Sequence, residues 1–407
     1  MSVNKRIALI TTWYPPITGV AVGRMNSFAN YLSEDFEVEV FCLGNTEESI
    51  TKSEKLSIHY LRTNKLYQHL KSNQRDSKII HNCKTLFRIL LSKVINNPLK
   101  NWEIATLSKL QSVHEKKSFD LIISSFSPEE AHLVAINFKK IFPSIPWIAD
   151  MRDEMATNPY LDLRTKNRLL NIEKEINEYA NGLTTVSEPI LLDFQKSMPK
   201  ISIFEEIRNG FDHSIIFEQD EKKKNNVLKF GYFGSFYGLR KPDNLLLAIE
   251  KFQNINHEFI FEIHIYGAHN NYGIPYSFKD KVFKHLGLTY LKAIEEMNKM
   301  DINLLFHPRS IRKGVFSGKI FDYISAKKPI FALVDKDDVA AKLIHDLKCG
   351  YVAEFDDLTE IKEKLDEIIS DFKNQTLRIA EADDIKKLHR RNSVLRLTKM
   401  IHKIISK

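Results

Sequence analysis

The sequence predicts an α/β protein built from two doubly wound domains. Three observations carry that expectation. Short apolar β-like runs alternate with helical patterns, the signature of parallel βαβ units. The alternation stops in a charged run without apolar period, residues 218–226, and then starts again. The chain has 407 residues, too many for one core and suited to two domains of about 200 residues each.

The first series opens with the strand Ile7-Ala8-Leu9-Ile10-Thr11-Thr12. Pro15-Pro16 and a small-residue turn from Gly19 to Gly23 follow, and Met25, Phe28, Ala29, Tyr31 and Leu32 mark a helix. Residues 38–43 read as the second strand. After a basic segment come a strand at 121–124, a helix at 129–141, a strand at 147–150 and a long helix at 161–181. Gly182 is the expected C-terminal cap of that helix, and 183–186 is a further strand. Asn209-Gly210-Phe211-Asp212 reads as a turn, and the charged run after it as the linker. The second series has strands at 228–234, 259–266, 302–306, 329–334 and 350–354. Its helices fall at 242–252, 290–299, after Gly318 and at 338–347, and the tail from Leu358 is helical and basic. We place the first domain at 1–215, with a basic helical insertion at about 61–118. The second spans 216–380, and 381–407 is a C-terminal helix expected to pack back on the first domain. Two such domains are expected to face each other across a cleft at their strand C-terminal ends, where doubly wound sheets bind ligands.

Composition narrows the class. The apolar fraction of 43% and the charged fraction of 28% are ordinary for a folded protein. No stretch approaches the roughly 18 uninterrupted apolar residues that a membrane span needs, and the N-terminus shows no signal-peptide pattern. Cys42, Cys83 and Cys349 lie far apart, which argues against a disulfide framework or a zinc knuckle and fits a reducing compartment. The net charge is +8 and is local: residues 61–100 hold nine Lys/Arg and one acid, Asp76. Tyr67, Leu70, Ile79, Ile80, Leu86, Phe87, Leu90 and Leu91 lie among those cations. A basic amphipathic helix of this kind suits an anionic membrane surface. The competing reading is a solvated helical insertion packed on the sheet.

The segment richest in chemistry is Val315-Phe316-Ser317-Gly318-Lys319-Ile320-Phe321-Asp322-Tyr323-Ile324-Ser325-Ala326-Lys327-Lys328-Pro329-Ile330. A Ser-Gly-Lys loop opens a helix, so backbone N–H groups and the helix dipole form an anion site to which Lys319 adds charge. Asp322, one turn on, is placed to accept hydrogen bonds from ribose hydroxyls. An ordinary capped helix is the alternative.

This segment resembles the nucleotide-sugar motif of the retaining GT-B glycosyltransferases of family 4 (group 1 type). Other stretches follow in the family's order. Residues 7–24 resemble its first strand and Pro-Pro, small-residue, Arg loop. Ile148-Ala149-Asp150-Met151-Arg152-Asp153 is similar to its D-x-R-D segment. Thr184-Thr185-Val186-Ser187 and Arg208-Asn209-Gly210-Phe211-Asp212 resemble its end-of-domain strand and turn. Tyr232-Phe233-Gly234-Ser235-Phe236-Tyr237, His285-Leu286-Gly287 and Asp301-Ile302-Asn303-Leu304-Leu305 resemble second-domain segments. Two departures stand out. Gly314 occupies the place of the first of two family glutamates, with Asp322 in the place of the second. The first loop has Ile17-Thr18-Gly19-Val20 where the family often has adjacent glycines.

The resemblance implies two Rossmann-like domains and transfer of a sugar from a UDP- or GDP-sugar to a hydroxyl acceptor, with retention and without a metal or other cofactor. The implied setting is bacterial surface polysaccharide or glycoconjugate assembly in the cytoplasm, on the inner face of the membrane, with a lipid-linked glycan as one candidate acceptor. Gly19 would lie against the donor diphosphate. Ser235, Arg240, Lys241, Ser317, Gly318 and Lys319 would hold and neutralise it, and Asp322 the ribose. His132 would contact the donor sugar, and Arg152 and Asp153 the acceptor side, with His132, Asp153 and Arg240 as the catalytic candidates. Each has a plainer reading: a packed histidine for His132, a structural salt bridge for Arg152 and Asp153, a solvated pair for Arg240 and Lys241.

Rivals from other classes fit less well. A nicotinamide-dependent oxidoreductase needs G-x-G-x-x-G after the first strand, and Gly19-x-x-x-Gly23 lacks that spacing. Asp335-Lys336-Asp337 falls too late in the second domain for the motif of a metal-dependent transferase. No aromatic stacking platform or recognition motif accompanies the basic segment, so nucleic acid is not an expected partner. A sugar-nucleotide epimerase and a non-catalytic relative share the expected fold and donor.

Overall fold

The computed structural model describes residues 5–17, 19–63, 97, 99–214, 226–236, 240–253, 258–267 and 272–406. The chain forms two compact units, Met1–Arg208 with Ser393–Lys407, and Asn209–Asn392. Among the described residues, no helix is long and apolar enough to cross a membrane.

The first unit is an eight-stranded sheet in the order β3-β4-β2-β1-β5-β6-β7-β8. Its strands are β1 (Arg6–Ile10), β2 (Glu37–Leu43), β3 (Glu48–Ser53), β4 (Leu56–Leu61), β5 (Leu121–Ser125), β6 (Trp147–Arg152), β7 (Gly182–Thr185) and β8 (Phe204–Glu206). All pairs are parallel except the hairpin of β3 with β4. The central strands β1 and β5 are buried at every position, as expected of parallel strands covered on both faces. The helices are α1 (Val20–Leu32), α2 (Lys100–Lys116), α3 (Glu130–Ile141), α4 (Leu163–Tyr179) and α5 (Glu188–Ser197). The Asp162 carboxylate caps α4 by accepting from Thr165 N.

The second unit is a six-stranded, all-parallel sheet. Its strands are β9 (Val227–Phe233), β10 (Ile260–Tyr266), β11 (Val282–His285), β12 (Ile302–His307), β13 (Ile330–Val334) and β14 (Gly350–Glu354). The order β11-β10-β9-β12-β13-β14 is the doubly wound 3-2-1-4-5-6 arrangement, so the switch point lies between β9 and β12. The helices are α6 (Asp243–Gln253), α7 (Tyr290–Lys299), α8 (Lys319–Ser325), α9 (Val339–Asp346), α10 (Leu358–Asn374) and α11 (Ala382–Lys387). A last helix, α12 (Arg390–Ile405), carries the chain back into the first unit at Ser393. There Val394, Leu397, Met400, Ile401 and Ile404 join the core built on Ile7, Leu9 and Ile148.

Several elements differ from the sequence expectation. Gly182 does not cap the preceding helix, which ends at Tyr179 with Ala180 as its cap. It opens β7, where a Cβ would lie 2.4 Å from Met400 Cε, so a larger residue would push the Met400 and Ile404 side chains aside. The unit boundary falls at Arg208–Asn209, not at 215. Residues 209–211 belong to the second unit because Phe211 pairs with His389, and Arg390 Nε donates to Asn209 O at 2.8 Å. Gly210 has φ 59, and a Cβ there would meet Leu388 O at 2.3 Å. The β3–β4 hairpin, α5, β8 and β11 were not anticipated. The expected insertion is strand to Leu61 and helix from Lys100. Its residues 64–96 and 98, which include Tyr67 to Leu91, lie outside the described residues, as does the expected linker at 215–225.

Candidate functional site

In the second unit, chemistry gathers at the switch point between β9 and β12. Gly234 directly follows β9 with φ 117, and a Cβ would lie 2.8 Å from Lys319 Cε. The missing side chain lets the lysine lie against the strand end. Lys319 is the first residue of α8, and its Nζ donates to Tyr232 Oη at 2.8 Å while sitting 4.1 Å from the Tyr232 ring centroid. Burial, with the charge of Arg240 adding to it, lowers the Lys319 ammonium from 10.5 to about 7. Arg240 Nη2 lies 3.3 Å from His307 Nε2. A guanidinium only donates, so Nε2 accepts and the His307 proton sits on Nδ1. Burial, then the Arg240 charge, pulls His307 down to about 4, so the ring is neutral.

No side chain caps α8 at Gly318, and Ser317 O accepts from Ile320 N at 3.1 Å. Ser317, Gly318 and Lys319 are half-buried, whereas Ser235 and Lys241 are exposed. The loop before α8 is pinned by ion pairs: Lys313 binds Asp335, and Arg309 Nη2 binds Glu354 at 3.0 Å. Gly314 is buried with φ 85, and its N–H donates to Asp338 Oδ1 at 2.8 Å. Of the acidic triplet, Asp335 is thus a loop anchor.

Asp322 lies one turn into α8 and accepts from Tyr290 Oη at 2.7 Å. Tyr290 Oη is 3.0 Å from His213 Nδ1, and His213 Nε2 is 2.9 Å from Ser325 Oγ. Burial raises the Asp322 carboxyl from 3.8 to about 6, against the opposing hydrogen bond from Tyr290 and the charge of Arg390. A carboxyl whose pKa rises on folding stabilises below its unfolded value, and that contribution is lost as pH rises through about 6. Asp322→Asn is therefore expected to raise the unfolding free energy above pH 6 by about 1–2 kcal/mol. Urea titrations at pH 4 and pH 7.5 check this: the gain should be confined to the higher pH, and an equal change at both would show that the carboxyl's ionisation is not what the substitution relieves.

In the first unit α1 and the strand ends of β5, β6 and β7 carry a buried network. Arg24 lies in α1, not in the loop before it, and is 1% exposed. It donates to both Asp150 oxygens, from Nε at 3.1 Å and Nη2 at 2.7 Å, and to Ile207 O from Nη1 at 2.6 Å. Ser125 Oγ and Thr184 Oγ1 also donate to Asp150, each at 2.8 Å. Burial alone would raise the Asp150 carboxyl, but Arg24 and the two hydroxyls hold it below its ordinary value.

Gly19 precedes α1 with φ 151, is exposed, and would place a Cβ in open space. His132 is fully buried: its Nδ1 is 2.7 Å from Ser124 Oγ, and Phe126 and Trp147 pack around the ring. Burial lowers it to about 4, which keeps it neutral. These are the contacts of a packed histidine, although Nε2 has no partner among the described residues. Arg152 and Asp153 do not form the salt bridge that was the alternative for them. The Arg152 side chain makes one hydrogen bond among the described residues, from Nη1 to Phe126 O at 3.2 Å.

Sequence reasoning singled out Lys319, Asp322 and Arg240 but not Tyr232, Tyr290 and His307, which contact them, nor His213, which contacts Tyr290. Two were in view, Tyr232 inside a quoted strand and His213 directly after the Asn-Gly-Phe-Asp turn.

No known family profile matches the sequence, and no curated protein does. Solved structures do match. A sucrose-phosphate synthase from Thermosynechococcus elongatus superposes with a TM-score of 0.65 at 12% identity, covering 99% of this chain and 100% of that one. HepE of Anabaena, in complex with UDP, has a TM-score of 0.59 at 14% identity, covering 98% of this chain and 100% of that one. A trehalose-6-phosphate protein from E. coli, bound with UDP-2-fluoro glucose, has a TM-score of 0.61 at 11% identity, covering 98% and 99%. Likeness at this identity establishes the fold, two Rossmann-like domains of the GT-B type.

Proposed function

We propose that this chain is a glycosyltransferase that takes a sugar from a UDP- or GDP-sugar and passes it to a hydroxyl acceptor, with retention of configuration. The observation that supports this most directly is the placing of Lys319 and Arg240 at the switch point of the second unit, in a fold that other nucleotide-sugar proteins share. Cleavage of the sugar–phosphate bond builds negative charge on the departing diphosphate. A lysine and an arginine already positioned there, with the amides that begin α8, stabilise that charge without reorganising. Asp322, oriented by Tyr290, is the hydrogen-bond acceptor for ribose hydroxyls. Arg152, the last residue of β6 in the first unit, and Asp153 after it are assigned to the acceptor. The setting we infer is bacterial surface polysaccharide or glycoconjugate assembly, with docking on an anionic membrane face through the basic residues between 61 and 100.

A screen of nucleotide sugars for binding and hydrolysis tests the reading. At least one UDP- or GDP-sugar should bind and turn over. Arg240→Ala is expected to weaken UDP binding at least tenfold, about 1.4 kcal/mol. Unchanged affinity in Arg240→Ala and Lys319→Ala together would remove this phosphate site, and donor conversion to an epimer without transfer would replace the proposed reaction.

A further inference from the structure

β3 is the outermost strand of the first sheet, and among the described residues no strand pairs with its other side. All six of its residues, Glu48-Ser49-Ile50-Thr51-Lys52-Ser53, are exposed. An open edge of this kind offers unpaired backbone N–H and C=O groups to another strand. Proteins blunt such edges with charge, with irregularity or with a covering element. β3 carries two of these guards, a lysine at 52 and a shift in its register with β4 between Thr51 and Ser53. Neither guard is complete. The shift leaves Glu48, Ser49, Ile50 and Thr51 in unbroken pairing with β4. Within that stretch stands an apolar side chain, Ile50, which is 41% exposed.

The side chains at 48, 50 and 52 share a face. Glu48 lies opposite Tyr60 and Ile50 opposite Ile58, and Lys52 Nζ lies 6.0 Å from the Tyr14 ring centroid. Tyr14 and Ile58 belong to one core, and Tyr60 packs against it. Neither Glu48 nor Lys52 has an ion-pair partner among the described residues.

The order of these three side chains is self-complementary. Let a second β3 lie antiparallel beside the first, with Ile50 opposite Ile50. Each Glu48 then faces Lys52 of the second copy, and the two-fold axis repeats the pair. Opposite charges and apolar pairs across neighbouring strands both stabilise the pairing. Other arrangements lose this match. Parallel pairing in register sets Glu48 against Glu48 and Lys52 against Lys52. A two-fold axis at Ser49 or at Thr51 sets Ile50 against a charged residue. The charges that guard the edge against unlike strands thus admit one partner in one register.

We propose that β3 is a self-association edge and that its partner is the β3 of a second copy of this chain, antiparallel about Ile50. The proposal does not depend on the glycosyltransferase reading. A single strand pair is smaller than the interfaces of stable complexes, so the dimer is weak and reversible. Its charge pairs are open to solvent, so salt loosens it.

Sedimentation velocity of the full chain in low salt, from micromolar to near-millimolar concentration, tests this. The native chain should pass reversibly from monomer to dimer. Lys52→Glu leaves only acids to meet in this register, and Glu48→Lys leaves only cations. Each variant alone should dimerise at least tenfold more weakly. Mixed in equal amounts, the two regain both opposite-charge pairs and should dimerise with each other as the native chain does with itself. The double variant Glu48→Lys/Lys52→Glu should recover in the same way. Both positions are exposed, so all three variants should keep the native thermal midpoint. A native chain that stays monomeric throughout would overturn the proposal and leave the edge to a strand of some other protein. A dimer indifferent to both single variants would place the contact on another surface and overturn it equally. Single variants that lose the dimer but fail to pair when mixed would show that the charges do not meet across β3.

Discussion

Asp150→Ala is expected to destabilise the first unit by about 3–5 kcal/mol, the range for removing one partner of a buried ion pair. The loss is large because of what stays behind. Arg24 is 1% exposed and would keep its charge after losing both bonds to Asp150, while Thr184 would lose the acceptor for its hydroxyl and Ser125 would keep the longer contact to Phe126 O at 3.4 Å. The fork of Arg24 onto both Asp150 oxygens joins α1 to β6 across 126 residues of sequence, and Ser125 and Thr184 extend it to β5 and β7. Urea unfolding of Asp150→Ala, Arg24→Met and the double variant forms the check. The double variant should be less damaged than the sum of the singles by at least 1 kcal/mol, since it leaves no orphaned charge. Additive losses would mean that the pair contributes packing alone. The pH dependence has a definite sign. The Asp150 carboxyl is held below its usual value on folding, so the stability it confers is present above about pH 4 and is lost as pH falls through the folded value.

The fold was legible wherever an apolar run was long enough to be buried on both faces. β1, β5, β9, β12, β13 and β14 are such runs, and the helices between them show their apolar period. The missed elements lack that signal. β3 is exposed at every position and is held by its hairpin with β4, and β8 is half-buried at a sheet edge. Gly182 was misread because helix caps and close helix–strand approaches both select glycine, and only the packing of Met400 distinguishes them.

Within the candidate site, legibility followed sequence distance. Ser317, Gly318, Lys319 and Asp322 sit together in the chain, so their joint chemistry was visible. Tyr232 and Tyr290 reach Lys319 and Asp322 from 87 and 32 residues away, and an isolated tyrosine in a strand or helix reads as core. Arg24 was read as a loop cation for the same reason: its carboxylate partner lies on a strand that only the topology brings near.

Lys319 carries the second large prediction, because folding and binding pull its proton in opposite directions. In the unliganded protein, burial holds the ammonium at about 7, against 10.5 in an unfolded chain. Between those values the unfolded state binds more protons, so stability should rise with pH from about 7 to about 10, while below pH 7 the buried charge imposes its full penalty. Lys319→Met removes that penalty and is expected to stabilise the chain by about 1–3 kcal/mol at pH 6.5. The same substitution should weaken UDP binding at least tenfold, about 1.4 kcal/mol. A diphosphate restores the reason to be charged. At pH 8.5 the free amine is mostly neutral and the UDP phosphates, with a last ionisation near 6, are already fully ionised. Binding should then draw in close to one proton. Calorimetry in buffers of different ionisation enthalpy measures that uptake directly. It should approach one proton for the native chain at pH 8.5 and vanish there in Lys319→Met; at pH 6, where the amine is already charged, uptake should give way to release of the proton that UDP still carries. Equal proton uptake by the native chain and Lys319→Met at pH 8.5 would show that the diphosphate does not sit against this amine, whatever the affinities do.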